Sequence, residues 1–478
     1  MVGKGQNSME IIMKLLALLL LAGLCCTGCS SDGSTGLYSI SGRITSSGVG
    51  LDSVTVTVTV SGGATPLTAT TDALGNYRFS GIANGSYSVS PSKAGYTFTP
   101  AARPVVIRRT DETGGDFTAA AAPAPVTIQL PKTGQTVVEV INDDGDLQKG
   151  AAWPSPRFVD NGNGTATDTL TGLVWLKDAG CIGMTNWTDA LAAALSLKSG
   201  MCSLSDGSTG GDWRLPNLNE LQSLLDISHE NPALPNNPFT RVTAAQHWTA
   251  TTSPELSYLA WIVYMDMGYI TTLGKTGQAV VWPVRGDGVD GRVRLPRTGQ
   301  TYSYAAGDDG YQQKGAVLPE RRFTDNGDGA ITDNLTSLVW LKNANCVEET
   351  TSAVRKIKRY GALQANPSLV WTAALASGVC GLSDNSSPGD WRVPNRGELQ
   401  SLMDRSHGNP PLPADHPFEN VVQNAYWTSS AFAQPDGART QLRWIGYFDS
   451  GAVNIRIIQP ADGDCYTWPV RDLKPIAR

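Results

Sequence analysis

The stretch RFVDNGNGTATDTLTGLVWLKDAGC (157–181) returns as RFTDNGDGAITDNLTSLVWLKNANC (322–346), 165 positions later. Upstream, LPKTGQT (130–136) returns as LPRTGQT (295–301) at the same offset. Downstream the register drifts and resumes. CSLSDGSTGGDWRLPNLNELQSLLDISH (202–229) matches CGLSDNSSPGDWRVPNRGELQSLMDRSH (380–407), HWTATTS (247–253) matches YWTSSAF (426–432), and WPVR closes both at 282–285 and 468–471. The chain therefore carries two copies of one unit, 128–286 and 295–472, joined by a linker at 287–294 and followed by a tail at 473–478. At about 160 residues each copy is a whole domain, not a solenoid turn.

Each copy reads as α+β. Asn217 and Asn395 precede Glu220 and Glu398 by three residues, the capping-box spacing that starts a helix. Leu221, Leu224 and Leu225 then share a face, as do Leu399, Leu402 and Met403. A second helix is expected at Thr188 to Leu197, with its counterpart starting near Trp371. Asp160-Asn161-Gly162 and Asp325-Asn326-Gly327 read as hairpin turns. WIVYMDMGYI (261–270) and WIGYFDSGAV (444–453) read as paired late strands turning at Gly268 and Gly451. Twelve of the 13 Trp fall at matched positions of the two copies, which marks core aromatics more than a sugar-stacking platform; Trp153 stands outside the pairs.

Residues 37–119 have a different pattern. SVTVTVTVS (53–61) alternates Val with Thr or Ser, the period of a half-buried strand, and Asn84-Gly85 sits between two more such runs. TDALGNYRFSGIANGSYSVSPSKAGYTF (71–98) resembles the carboxypeptidase-regulatory-like modules of secreted bacterial proteins, which implies a β-sandwich acting as a stalk. AAAAPAP (119–125) lies at a short linker, 120–127.

The repeated motifs "RFTDNGDG", "TDNLTSLVWLK", "DWRVPNRGEL", "YWTSS", a W-x-x-x-x-D strand and "WPVR" resemble the Lcl C-terminal domain family. The resemblance implies a C-type-lectin-like shape, a secreted or surface role, and recognition of extracellular glycan or another surface polymer. The expected architecture is thus multidomain: an all-β sandwich followed by two tandem α+β C-type-lectin-like domains. The collagen-like repeats of the family's namesake are not in this sequence, so trimer formation is not carried over.

At the N-terminus, Lys14 precedes twelve apolar or small residues, Leu15 to Cys26, and then Thr27-Gly28-Cys29. This reads as an export signal, and it resembles a bacterial lipoprotein signal in which Cys29 is lipidated, with residues 1–29 removed and 30–36 as a tether. The expected location is the outer membrane or cell surface. An oxidising compartment permits disulfides. Cys181 and Cys202 match Cys346 and Cys380, so one bridge per copy is the simple reading; Cys465 matches Ala279 and is left over.

Other candidates are weaker. Asp325, Asp328 and Asp333 offer three carboxylates to calcium, the one cofactor considered, although a tight Asx turn needs the same residue types. Arg355, Lys356, Lys358 and Arg359 form a basic cluster in a segment inserted in the second copy, suited either to acidic glycans or to simple solvation. Gln434-Pro435-Asp436 resembles the triplet of galactose-type lectins but lacks its downstream partners. His229 and His407 recur in D-x-S-H-x-N-P, where closing a helix end explains them more cheaply than catalysis. With 37 basic against 43 acidic side chains, a nucleic-acid binder is disfavoured. The expectation is a non-enzymatic adhesin, the alternative being a structural envelope protein that binds other proteins.

Overall fold

A computed structural model describes residues 36–60, 66–93, 96–121, 127–346, 367–432, 442–457 and 465–473. The chain is mostly β with few helices. The N-terminal region is sandwich-like. One sheet runs Val49–Gly50, Tyr38–Ser46, Phe117–Ala121, Tyr96–Thr99, with Asn76–Ile82 also paired to Tyr38–Ser46; the other runs Leu67–Thr70, Thr55–Val60, Gly85–Ser92, Arg103–Ile107. The alternation read in 53–61 is realised in its first part: Val54, Val56 and Val58 are buried between the sheets while Thr55 faces outward, but Val60 is exposed.

Each repeat forms a small four-stranded antiparallel sheet. In the first, Phe158–Asp160, Thr165–Asp168 and Val174–Leu176 are joined by Val284–Arg285; in the second, Phe323–Asp325, Ala330–Asp333 and Leu338–Leu341 are joined by Val470–Asp472. The closing "WPVR" therefore returns to the strand that carries "VW". Trp282 Nε1 donates to Leu176 O and Trp468 Nε1 to Leu341 O, both at 2.9 Å. The helices Leu218–Ser223 and Arg396–Ser401 start at the expected capping boxes. The helix Trp187–Ser196 lies where the sequence placed it; its counterpart, Pro367–Ala373, begins four residues ahead of Trp371.

The strand pairs read at 261–270 and 444–453 are Leu259–Tyr264 with Ile270–Gly274, and Leu442–Tyr447 with Val453–Ile457. These two hairpins meet: Ile270 pairs with Val453, so the late sheets of both repeats merge into one eight-stranded sheet. A single apolar cluster, containing Trp261 and Trp444, runs through both repeats. Residues 287–294, expected as a linker, lie packed: Val293 is buried and its amide donates to Leu170 O.

The segments upstream of each repeat cross over. From the first repeat, Gln135 Oε1 accepts from Ala431 N (2.9 Å), Asp144 Oδ2 from Ser430 Oγ (2.5 Å), and Lys149 O from Asn395 Nδ2 (3.3 Å). From the second, Gln300 Oε1 accepts from Thr252 N (3.1 Å), Asp309 Oδ2 from Thr251 Oγ1 (2.7 Å), and Lys314 O from Asn217 Nδ2 (3.1 Å). Each "TGQT" segment thus completes the other repeat, and the pair has the isologous character of a two-fold dimer written on one chain. The sandwich docks onto the second of these segments, through Ser303 N to Ser88 Oγ and Ala101 N to Tyr311 O, both 3.3 Å.

Candidate functional site

The motif residues resolve into buried ion pairs before any site is considered. Arg157 binds Asp168 and Arg322 binds Asp333 through two hydrogen bonds each, linking "RF" to the "TD" eleven residues on. Arg214 and Glu220, and Arg392 and Glu398, form matching bidentate pairs inside "DWR(L/V)PN" and its helix. Arg285 and Arg471 of "WPVR" reach Asp206 and Asp384. Ten of the matched Trp are fully buried, in keeping with a core role.

That pairing corrects the calcium expectation. Asp333 is buried and its carboxylate is taken by Arg322, Thr336 Oγ1 and the Leu335 amide. Asp325 accepts from the Gly327 amide and pairs with Lys342, while Asp328 accepts from the Ala330 amide. The three carboxylates do separate turn-building work, and no group of acidic, His or Cys side chains suited to a metal occurs among the described residues.

Two disulfides are formed, Cys181–Cys202 and Cys346–Cys380, closing sequence separations of 21 and 34. Cys465 is half-buried and belongs to neither. Cys29, the basic cluster Arg355, Lys356, Lys358 and Arg359, and Gln434-Pro435-Asp436 lie outside the described residues. His229 and His407 lie six residues beyond the helices that end at Ser223 and Ser401, so they do not close the helix ends; they sit beside Asp226 and Asp404, at 2.9 and 3.4 Å. The neighbouring Ser228 and Ser406 hydroxyls donate to those same carboxylates, an arrangement that holds a turn together. The bond to Asp404 raises the His407 pKa.

The second disulfide borders an open depression of about 500 Å³, whose polar wall is Asp325, Lys342, Asn343 and Glu419. Backbone packing builds it. Gly329 has φ of +84°, and a Cβ there would stand 2.4 Å from Gly381 O, so the DNGDG turn lies directly on the loop that Cys380 pins. Lys342 bridges Asp325 (3.0 Å) and Glu419 (2.9 Å), and these contacts, Glu419 first, raise its pKa. The Gly327 amide and then Lys342 hold Asp325 below its usual range. In the first repeat Thr240 stands where Glu419 does, and Arg241 grips Asp178 beside it. The sequence reading singled out Asp325 but missed Lys342, Asn343 and Glu419; Glu419 is far along the chain, and the signal available was its departure from Thr240 at a matched position.

The Lcl C-terminal domain matches at 164–285 and 329–471, and the carboxypeptidase regulatory-like domain at 39–120. No curated protein matches the chain. Among solved structures, similarity is found to GBS52, the minor pilin of Streptococcus agalactiae, at 18% identity and TM-score 0.17, covering 19% of this chain and 47% of that one. BcpA, the major pilin subunit of Bacillus cereus, shows 18% identity and TM-score 0.17 over 21% of this chain and 32% of its own. A DUF3823 family protein from Parabacteroides merdae shows 15% identity and TM-score 0.16 over 21% and 54%. The chain spans about half or less of the length of these structures. With matching segments in both repeats that together cover more than half its length, the chain belongs to the Lcl C-terminal domain family.

Proposed function

We propose that this is a lipid-anchored bacterial surface protein that binds extracellular glycans through its paired repeats, with the sandwich as a stalk and each repeat an α+β, C-type-lectin-like unit. The observation that carries the reading is the depression beside Cys346–Cys380. It is open and polar, and it presents carboxylate, ammonium and amide groups from a turn and a loop held by a disulfide. Hydroxyl-rich ligands are recognised by such convergent donors and acceptors, and a stapled frame lowers the ordering cost of binding. Membership of the family in both repeats supports a binding role rather than a reaction.

A glycan array with the chain from residue 36 onward tests this. Binding is expected with and without calcium, and Glu419→Thr, which installs the residue of the first repeat, is expected to weaken it at least fivefold. Silence on every glycan, together with recovery of envelope proteins in a pull-down, replaces the lectin reading with a structural one. Labelling with a radioactive fatty acid, lost in Cys29→Ser, checks the anchor.

A further inference from the structure

A second, more enclosed cavity of about 100 Å³ lies where the two repeats meet, between the helices Leu218–Ser223 and Arg396–Ser401. Its floor is apolar, with Leu225, Leu295, Leu318 and Met403 on the wall. Its polar side is cationic: Lys132, Arg297, Arg322 and Arg396 all line it, against the one carboxylate of Asp404. Asp404 is already committed to Ser406 and His407. Arg322 is neutralised by Asp333. Among the described residues the other three cations form no ion pair, although the charges of Asp309 and Asp287 act on Arg297 from farther off. Lys132 Nζ donates to Gln148 Oε1 (3.2 Å), Arg297 Nη1 to Gln313 Oε1 (3.4 Å), and Arg396 Nη2 to Gly268 O (2.5 Å) while its guanidinium rests over Trp444 at 3.9 Å.

The two repeats differ at this place in one telling residue. Trp153 of the first repeat matches Leu318 of the second. Trp153 covers Arg157 at 4.5 Å, and its ring reaches within 2.9 Å of where a Cβ on Gly134 would stand. Leu318 is shorter, and none of the three nearest atoms to the matching position on Gly299 belongs to it. The first repeat fills with its own indole the volume that the second leaves beside Arg322. Trp153 is the one tryptophan without a partner in the repeat, and the missing partner is the space.

We propose that this cavity is a binding site for a small carboxylate carrying a compact apolar body, seated against Leu318 with its carboxylate toward Arg297. Desolvated cations without a counter-ion are costly, and an incoming carboxylate supplies charge-assisted hydrogen bonds that the protein leaves unmade. Burial lowers the pKa of Arg297, and the charges of Asp309 and Asp287 oppose that shift without cancelling it. A largely apolar pocket with a few converging polar groups is the usual form of a small-molecule site. The site is separate from the depression beside the disulfide and does not depend on glycan binding there.

Titration calorimetry of the chain from residue 36 onward with butyrate and benzoate, and with benzamide and sulfate as controls, tests the proposal. The expected result is saturable binding of a carboxylate at one site per chain, with benzamide and sulfate each at least tenfold weaker. Leu318→Trp, which restores the arrangement of the first repeat, is expected to abolish binding, and Arg297→Gln to weaken it at least tenfold, with both melting as cooperatively as the parent. Absence of saturable binding by both carboxylates overturns the proposal. So does benzamide or sulfate binding as tightly as the carboxylates, or undiminished binding in a folded Leu318→Trp. If Leu318→Trp does not fold, Arg297→Gln decides: unchanged affinity there overturns it.

Discussion

Two carboxylates bear on how the repeats are held together. Asp309 Oδ2 accepts from Thr298 of its own repeat and Thr251 of the other; Asp144 Oδ2 accepts from Thr133 and, across the junction, Ser430. Burial pushes Asp309 up to about 7 and Asp144 up to about 6. The sign follows from linkage. The folded chain keeps the Asp309 proton up to about pH 7, whereas the unfolded chain releases it near 3.8. Stability from the neutral carboxyl is therefore lost as pH rises between those values, by at most about 1.4 kcal/mol per unit, and levels off above 7. Asp309→Asn removes this titration while keeping an oxygen for both hydroxyls. Urea unfolding of parent and variant from pH 4.5 to 8 is expected to show the variant gaining relative stability as pH rises; a constant difference refutes the assignment. The sequence reading did not single out Asp144 or Asp309, because one of the two hydroxyls that each binds is supplied by the other repeat.

At the scale of elements, the sequence was most readable where an element is specified locally. The capping boxes at Asn217 and Asn395, the Val alternation from Val54 to Val58 and the Asx turns at Asp160 and Asp325 each depend on residues within a few positions, and each stands as read. The calcium reading failed for the complementary reason. The same Asx-rich string is compatible with a cation or a turn, and the deciding partner of Asp333, Arg322, lies eleven residues upstream on a neighbouring strand. Caps also do more here than start helices. Asn217 caps its helix through the Glu220 amide and, through Nδ2, holds Lys314 O of the other repeat. Asn217→Ala is expected to cost about 1–2 kcal/mol from the cap alone. It is also expected to speed amide hydrogen exchange at 309–316, in the segment it holds from the other repeat. A loss confined to 217–223 limits Asn217 to a local cap.

For the whole molecule, the repeat period announced two domains, while the structure joins them into one body by exchange of their leading segments and a shared sheet. Nothing in a repeat period encodes this, since a segment that folds back and one that crosses over carry the same residues. The exchange leaves a single repeat incomplete: without the second, Asn217, Thr251 and Thr252 lose the groups that Lys314, Asp309 and Gln300 supply. The first repeat carries its own version of the missing segment, with Gln135, Asp144 and Lys149 at the matched places. Two molecules of residues 127–294 have the means to trade segments and restore the two-fold. The junction favours this in the first repeat, where Leu218 and Ile227 match Arg396 and Arg405. In the intact chain each arginine rests over one tryptophan, Arg396 over Trp444 and Arg405 over Trp261. A pair of second repeats doubles both cations at the junction, and like charges there oppose association. Light scattering on the isolated pieces is expected to find 127–294 dimeric at tens of micromolar and 287–478 dimerising at least tenfold more weakly, with the gap narrowing in high salt. Removing residues 127–151 from the first piece is expected to leave a monomer. If 127–294 is instead monomeric and melts as cooperatively as the intact chain, the leading segment is able to close on its own repeat, and the crossover is one of two arrangements open to the sequence.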